Sequence, residues 1–269
     1  MSGGWETVVL GIAQDGGVPH PGCACARCDA AARGAAPRRH VACLGLTDGR
    51  RTVLFDATPD LPAQLRMLGA ARPDALFLTH AHMGHVTGLV YLGREALGVR
   101  GVDLYATESM HAFLRANAPF RDLVEQGRVT ARPNDRVDLG GVVVRAFAVP
   151  HRAEHTDTVG YRLEGPHRSV LDLPDIDHSD AWDQDVRDVV SGVDVAYLDA
   201  TFHSADELPH RDPREIPHPL VTDTVRRLAG LAERVRLIHL NHTNPLLDDD
   251  SPVRALGFRV AAEGERVAV

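Results

Sequence analysis

No stretch of this 269-residue chain comes near the ~20 consecutive apolar residues that a membrane-spanning helix needs, so a bilayer-crossing helix is excluded as its organising feature. The opening residues, Met1-Ser2-Gly3-Gly4-Trp5-Glu6, carry neither the basic start nor the apolar run of a secretory leader, and the expectation is a soluble, cytoplasmic protein. Positive charge is in deficit. With 29 Lys and Arg against 37 Asp and Glu, the formal charge of −8 argues against nonspecific binding of nucleic acid through a generally basic surface. One local basic cluster, Arg33, Arg38, Arg39 and His40, reads as a solvated turn. No G-x-G-x-x-G follows the first apolar run, and Gly16-Gly17 is only a turn signal, so the usual fingerprint of a doubly wound nucleotide-binding fold is missing. No internal repeat, low-complexity tract or clear linker divides the sequence, and residues 1–269 are expected to form a single domain.

Cysteine is scarce and unevenly placed. Of the four, three crowd into Cys23-Ala24-Cys25-Ala26-Arg27-Cys28, too close together for a conventional disulfide framework. In a reducing compartment this crowding reads as thiolate ligation of a closed, structural zinc, with Pro19, Pro21 and Gly22 folding a knuckle loop at about residues 19–29. Three thiolates leave one ligand to be found; a redox-active or merely buried cluster is the other reading. Cys43 lies inside the apolar run 41–46, where packing is its expected role.

The composition, 44% hydrophobic and 25% charged, is that of a globular protein. Short β-rich runs are expected as strands over residues 7–13, 41–47, 52–56, 75–78, 102–106, 142–149, 158–163, 169–173, 193–198 and 235–240. Helical patterns fall over 61–68, 108–116, 121–126, 179–190 and 221–234, with Thr58-Pro59-Asp60 expected to open the first of these. The class is α/β, with many strands following one another without a helix between them.

Against that background one segment stands out chemically. Thr79-His80-Ala81-His82-Met83-Gly84-His85 places three imidazoles directly after the apolar strand Ala75-Leu76-Phe77-Leu78. In extended backbone His80 and His82 point the same way, and His85 follows one helical turn later if a helix starts there. Converging imidazoles hold a cation whose bound water becomes acidic enough to attack an electrophile near neutral pH. Loop-borne candidates recur downstream: His151 after the run 142–149; Asp172, Asp175 and Asp177 at the end of the strand over 169–173; His239 and His242 after the last strand. Strand parity places Asp172 within its sheet, and Asp177 could cap the following helix. Asp175, just past the strand, is the preferred carboxylate.

The histidine segment resembles the H-x-H-x-D-H signature of the metallo-β-lactamase superfamily, with Gly84 standing where that family has Asp. The resemblance implies a four-layer αββα sandwich, a first metal held by His80, His82 and His151, and a second helped by His85 and His239, with Asp175 bridging. It also implies that the second site lacks one oxygen ligand, which Asp15 or Asp199 could replace. A narrower resemblance, to the cyclic phosphodiesterase of phosphonate breakdown and to pyrroloquinoline quinone biosynthesis protein B, rests on the C-x-C-x-x-C loop, Ala57-Thr58-Pro59-Asp60-Leu61, Asp199-Ala200-Thr201-Phe202, Asp206-Glu207, and His239 with Thr243-Asn244-Pro245. It implies that His242 is the fourth ligand of the cysteine zinc, with Cys43 as the rival. His218 falls where some relatives keep a substrate-facing His, and Asp56 is placed to brace the histidine loop.

The implied activity is that of a metallo-hydrolase: bound hydroxide attacks a phosphodiester, ester or lactone, with one or two divalent ions (Zn2+, Fe2+ or Mn2+) in the reactive site and Asp175, Asp199 and His218 as catalytic candidates. Two alternatives stand beside it. One is an iron-dependent oxygenase or redox enzyme like the quinone-biosynthesis protein; the other is a noncatalytic metal-binding protein whose site has degenerated at Gly84. The expected partner is a small-molecule substrate, in a pocket shaped in part by the loop over 209–219, and family members are often homodimers. His20, His40, His111, His155, His167, His178, His203 and His210 are expected at solvated positions.

Overall fold

A computed structural model describes residues 4–177, 182, 185–208, 212 and 217–269. The first half of the chain supplies β1 (Glu6–Gly11), β2 (Cys43–Thr47), β3 (Thr52–Phe55), β4 (Ala75–Phe77), β5 (Val102–Ala106) and β6 (Val129–Pro133). The second supplies β7 (Arg136–Asp138), β8 (Val143–Ala148), β9 (Val159–Glu164), β10 (Ser169–Leu173), β11 (Val195–Asp199), β12 (Val235–Ile238) and β13 (Arg259–Val260), and β14 (Arg266–Ala268) returns to pair with β1. Two seven-stranded mixed sheets result, in the orders β14-β1-β2-β3-β4-β5-β6 and β13-β12-β11-β10-β9-β8-β7. Each begins with antiparallel pairing and continues in parallel from β3 and from β10, so the sheets echo one another in a way the sequence conceals.

Strand alternation builds the layers. Phe55, Phe77, Tyr161, Tyr197 and Ile238 point into the space between the sheets, while their neighbours Leu54, Leu76, Leu198 and Leu237 point outward. The outward residues of the first sheet bury Leu61 and Leu65 of α2 (Leu61–Met67) and Met110 and Leu114 of α4 (Glu108–Ala116). Those of the second pack on Val190 of α6 (Val186–Ser191), Val221 of α7 (Val221–Arg227) and Val253 of α8 (Ser251–Arg254). Each fully buried Leu or Phe contributes about 1.5–3 kcal/mol. The αββα sandwich expected from the sequence is the fold observed, and among the described residues no helix is long and apolar enough to cross a membrane.

Several expectations need correction. The helix expected over 121–126 begins earlier, as α5 (Ala118–Glu125), because Pro119 suits a first turn. The one expected over 221–234 stops at Arg227, short of Gly230, and only a 3-10 turn follows at Ala232–Arg234. Residues 179–181, 183 and 184 of the helix expected over 179–190 lie outside the described residues, as do His178, His210 and most of the loop over 209–219. Thr58 is not the cap of α2. Asp60 occupies that position, with its carboxylate accepting the Val41 N–H at 2.8 Å, while Thr58 donates to Gln64 at 2.8 Å. His111 is buried and its Nε2 meets the Arg132 carbonyl at 2.9 Å, so it is not solvated.

Candidate metal centre

Parallel strands end on one rim of the sandwich, and a ligand site belongs there because open α/β sheets leave a crevice at their carboxyl ends. Asp56 follows β3, Thr79 to His85 follow β4, Asp175 follows β10, Asp199 ends β11 and His239 follows β12. His151 and Asp15 enter from beyond β8 and β1. Asp56 and His239 are the non-glycine residues with positive φ, 70° and 64°, among the described residues. That conformation costs on the order of 1–3 kcal/mol at each and is held where the backbone must turn sharply into the site. After β4 the backbone is extended at His82, and α3 (Met83–Val86) turns His85 back beside His80, its N–H donating to His82 O at 3.0 Å.

The first donor set is His80, His82 and His151, whose ligand atoms lie within 4.8 Å of one another. His80 Nε2 and His82 Nδ1 are 2.9 Å apart. The remaining nitrogen of each ring is tied down: His80 Nδ1 to Thr79 Oγ1 at 2.9 Å, His82 Nε2 to Glu154 at 3.0 Å, His151 Nδ1 to Asp177 at 3.1 Å. Anchoring of this kind selects the tautomer and aims the free lone pair. Burial, reinforced by the charge on His85, holds His80 well below the usual imidazole range, and burial lowers His82, so both favour the neutral form that ligates.

The second set faces it across Asp175. His85 Nε2 lies 3.3 Å from Asp15 Oδ1 and 3.0 Å from Asp175 Oδ2, and His239 Nε2 lies 3.6 Å and 3.4 Å from the same two atoms. These four buried atoms have no hydrogen-bond partner, although the distances alone would allow ion pairs. Buried donors that lie this close without bonding one another are placed to share a common partner. Donors around a tetrahedral ion with bonds of ~2.0–2.1 Å stand roughly 3.3–3.4 Å apart, and the four separations straddle that value. The residues therefore fit a divalent ion. His151 Nε2 is likewise buried without a partner, 3.7 Å from Asp175 Oδ1, so the two oxygens of Asp175 face different donor sets.

Electrostatics follow from this crowding. Burial would raise the carboxyls of Asp15 and Asp175, but the imidazoles of His85 and His239 outweigh it and hold both well below the usual range. Burial would lower His85, yet Asp56 and Asp175 keep it well above the ordinary imidazole value. Asp172, buried in β10 beside Asp56, is pushed well above the carboxylate range by burial first and by Asp56 second, which makes it a poor anionic ligand.

Asp199, the other acid expected to make up for the oxygen missing at Gly84, has both carboxylate oxygens engaged. Its Oδ1 accepts from Thr201 N and Oγ1 at 2.9 and 2.7 Å, and its Oδ2 sits 2.6 Å from His218 Nδ1. His218 is buried, its ring centroid 5.3 Å from that of His151; burial alone would lower it, but Asp199 raises it to about 9. Asp177 caps no described helix, and its carboxylate orients His151 instead.

The cysteine loop forms a separate cluster. Cys23, Cys25, Cys28 and His242 bring their ligand atoms within 4.8 Å of one another, while Cys43 is buried in β2 with its thiol toward Leu44 O and Asp56 O. His242 Nδ1 faces Asn241 Oδ1 at 3.0 Å, and the His20 ring stacks on it at 4.4 Å, a contact that the sequence reading missed. Backbone N–H groups of His20 and Cys25 donate to the sulfurs of Cys28 and Cys23 at 3.2 and 3.4 Å. The sequence reading also missed the roles of Thr79, Thr201 and Glu154: Thr79 directly precedes the His80 it meets, but Thr201 and Glu154 are distant in sequence from His239 and His82.

Comparison with known proteins places this geometry in context. A model of the β-lactamase superfamily domain matches residues 51–239. The coenzyme PQQ synthesis protein B of Cupriavidus taiwanensis is 30% identical, over 97% of this chain and 98% of its own. Among solved structures, zinc-bound PqqB from Methylobacterium extorquens is similar with a TM-score of 0.84 at 24% identity, covering 98% of this chain and 100% of that one. A diphosphatase from the PhnP family gives 0.71 at 26% identity, covering 99% and 98%.

Proposed function

This chain belongs to the metallo-β-lactamase superfamily and is PqqB-like, and we propose that it is a metal-dependent hydrolase of a small phosphodiester, ester or lactone, a phosphoester first among them. One observation carries the reading: two sets of partly orphaned donors meet at Asp175, with His80, His82 and His151 on one side and Asp15, His85 and His239 on the other. Divalent ions held there, zinc by donor type, would acidify a water and stabilise charge developing on the attacked group.

The chain's own residues do the rest. His80 and His82 stay neutral and pre-aimed, so little reorganisation accompanies ligation. Asp175 spans the two donor sets and fixes their spacing. His218, fixed by Asp199 and protonated up to about 9, stands beside the His151 ring as a proton or hydrogen-bond donor toward a leaving group. A phosphoester is favoured because the similar diphosphatase aligns along nearly the whole chain. Iron-dependent oxidation is the second reading, favoured by the identity to a coenzyme PQQ synthesis protein and by donors that also suit ferrous iron.

The test is to assay zinc- and manganese-loaded protein on bis(p-nitrophenyl) phosphate, p-nitrophenyl acetate and a γ-lactone. Phosphodiester turnover that a chelator removes and added metal restores is the expected result. No turnover on any of the three, with dioxygen consumed by iron-loaded protein, moves the chain to the second reading.

A further inference from the structure

We infer that Asp15 is a ligand of the second metal ion, supplying from the loop after β1 the carboxylate that the histidine motif lacks at Gly84. The two positions compete for one volume. A β-carbon built on Gly84 would fall 2.6 Å from Asp15 Cα and 2.7 Å from its Cγ, separations that real β-carbons do not reach. The clash is with the Asp15 backbone as well as its carboxylate, so a side chain at 84 would push aside the loop that carries Asp15, and the glycine is what admits Asp15 to the site. The Asp15 Oδ1 atom is buried, has no hydrogen-bond partner, and lies 3.3 Å from His85 Nε2 and 3.6 Å from His239 Nε2. Asp175 Oδ2 completes the set from the opposite side, at 3.0 and 3.4 Å from the same nitrogens.

The loop is built to hold the carboxylate there. Ile12 and Ala13 donate to His40 O at 3.0 and 2.9 Å, Leu240 N donates to Ile12 O at 2.8 Å, and Gln14 N donates to Leu240 O at 2.9 Å. Asp15 is thus locked beside the strand end that carries His239. A turn closed by Gly17 N to Gln14 O at 2.7 Å, with Gly17 at φ 67°, sends the chain on toward the cysteine loop. The relocated carboxylate restores two carboxylates and two imidazoles to the second site, the same donor charge the family motif provides.

This inference rests on the two-ion reading of the site, and metal binding tests it without turnover. Full-length wild type, Asp15→Asn, Asp15→Gly and Gly84→Ala are titrated with zinc by calorimetry, with bound metal counted by plasma mass spectrometry and folding followed by thermal unfolding. Asp15→Asn and Asp15→Gly should keep the knuckle ion and the ion on His80, His82 and His151 while binding the second at least ~10- to 100-fold more weakly. Gly84→Ala, whose methyl meets the Asp15 backbone, should unfold at lower temperature and bind the second ion more weakly while keeping the first. Asp15→Asn that binds the second ion as wild type does would overturn the role of Asp15, as would a Gly84→Ala protein whose second ion is undisturbed. A wild type that holds no ion beyond the knuckle's would sink the hydrolase reading as well, so the two failures are distinguishable.

Discussion

Asp56 Oδ2 lies 2.6 Å from His85 Nδ1, a buried carboxylate fixing a buried imidazole from the side opposite its free nitrogen. The other oxygen of Asp56 accepts the Thr79 N–H at 2.7 Å, and the Thr79 hydroxyl lies within 3.0 Å of both oxygens. One side chain therefore positions the loop that opens the histidine segment and the ring that closes it.

Replacing Asp56 by Ala should lower affinity for the reactive-site metal by roughly 10–100-fold, the usual loss when a group behind a metal-binding imidazole is removed. Competition against a chromophoric chelator measures it. Unchanged affinity would mean that packing alone orients His85.

His82 is the least buried of the first donor set and contributes little to the core, so His82→Ala separates chemistry from folding. Turnover should fall by at least the roughly 100- to 1,000-fold that loss of one electrostatic stabiliser costs. The midpoint of thermal unfolding of the metal-free protein should move little. Retained turnover would remove His82 from the site.

The two kinds of cysteine should behave differently. Cys28→Ser should lose the knuckle zinc and, through the loop that carries Asp15, weaken the second reactive-site ion, whereas Cys43→Ser should keep both. Burial raises the Cys43 thiol well above its ordinary value, so it should resist alkylation until the protein unfolds. Metal counts and thiol labelling under native conditions check both statements.

His40 gives a pH dependence away from the metal centre. Its ring lies 3.2 Å from Glu263, which raises its value above that of a free imidazole despite partial burial. A raised folded value means that the stabilisation is fully present below the unfolded value of about 6.5 and is lost as pH rises through the folded one. The stability advantage of wild type over His40→Gln should therefore shrink between pH 6 and pH 9 in denaturant titrations. A constant gap would leave the pair without energetic coupling.

Much of this was readable in the sequence because strand ends announce themselves. Val102–Ala106, Glu108–Ala116 and Ser169–Leu173 fall at the expected bounds, since alternation and apolar runs are strong there. The edge strands Val129–Pro133, Arg136–Asp138, Arg259–Val260 and Arg266–Ala268 were missed, because a strand paired on one side and partly exposed carries little apolar pattern. Helix α1 (Ala26–Ala32) was hidden by its overlap with the cysteine loop, Cys25 standing at its N-cap.

In the site, His80, His82, His85, His151, Asp175 and His239 were legible as loop residues after apolar runs. The choice between Asp15 and Asp199 was not. Both are acids beside strand ends in one dimension, and only three-dimensional proximity shows Asp199 engaged with His218 and Thr201 while Asp15 meets Gly84. Glycine at 84 reads as a loss in the sequence and as room for another residue in the structure.

Anomalous scattering from crystals of zinc-loaded full-length protein, recorded on both sides of the zinc edge, bears most directly on the convergence of donors at Asp175. Three peaks are expected: one within Cys23, Cys25, Cys28 and His242, one on His80, His82 and His151, and one between Asp15, His85, Asp175 and His239. A peak at the knuckle with none at either side of Asp175 would contradict a reactive metal centre in this protein.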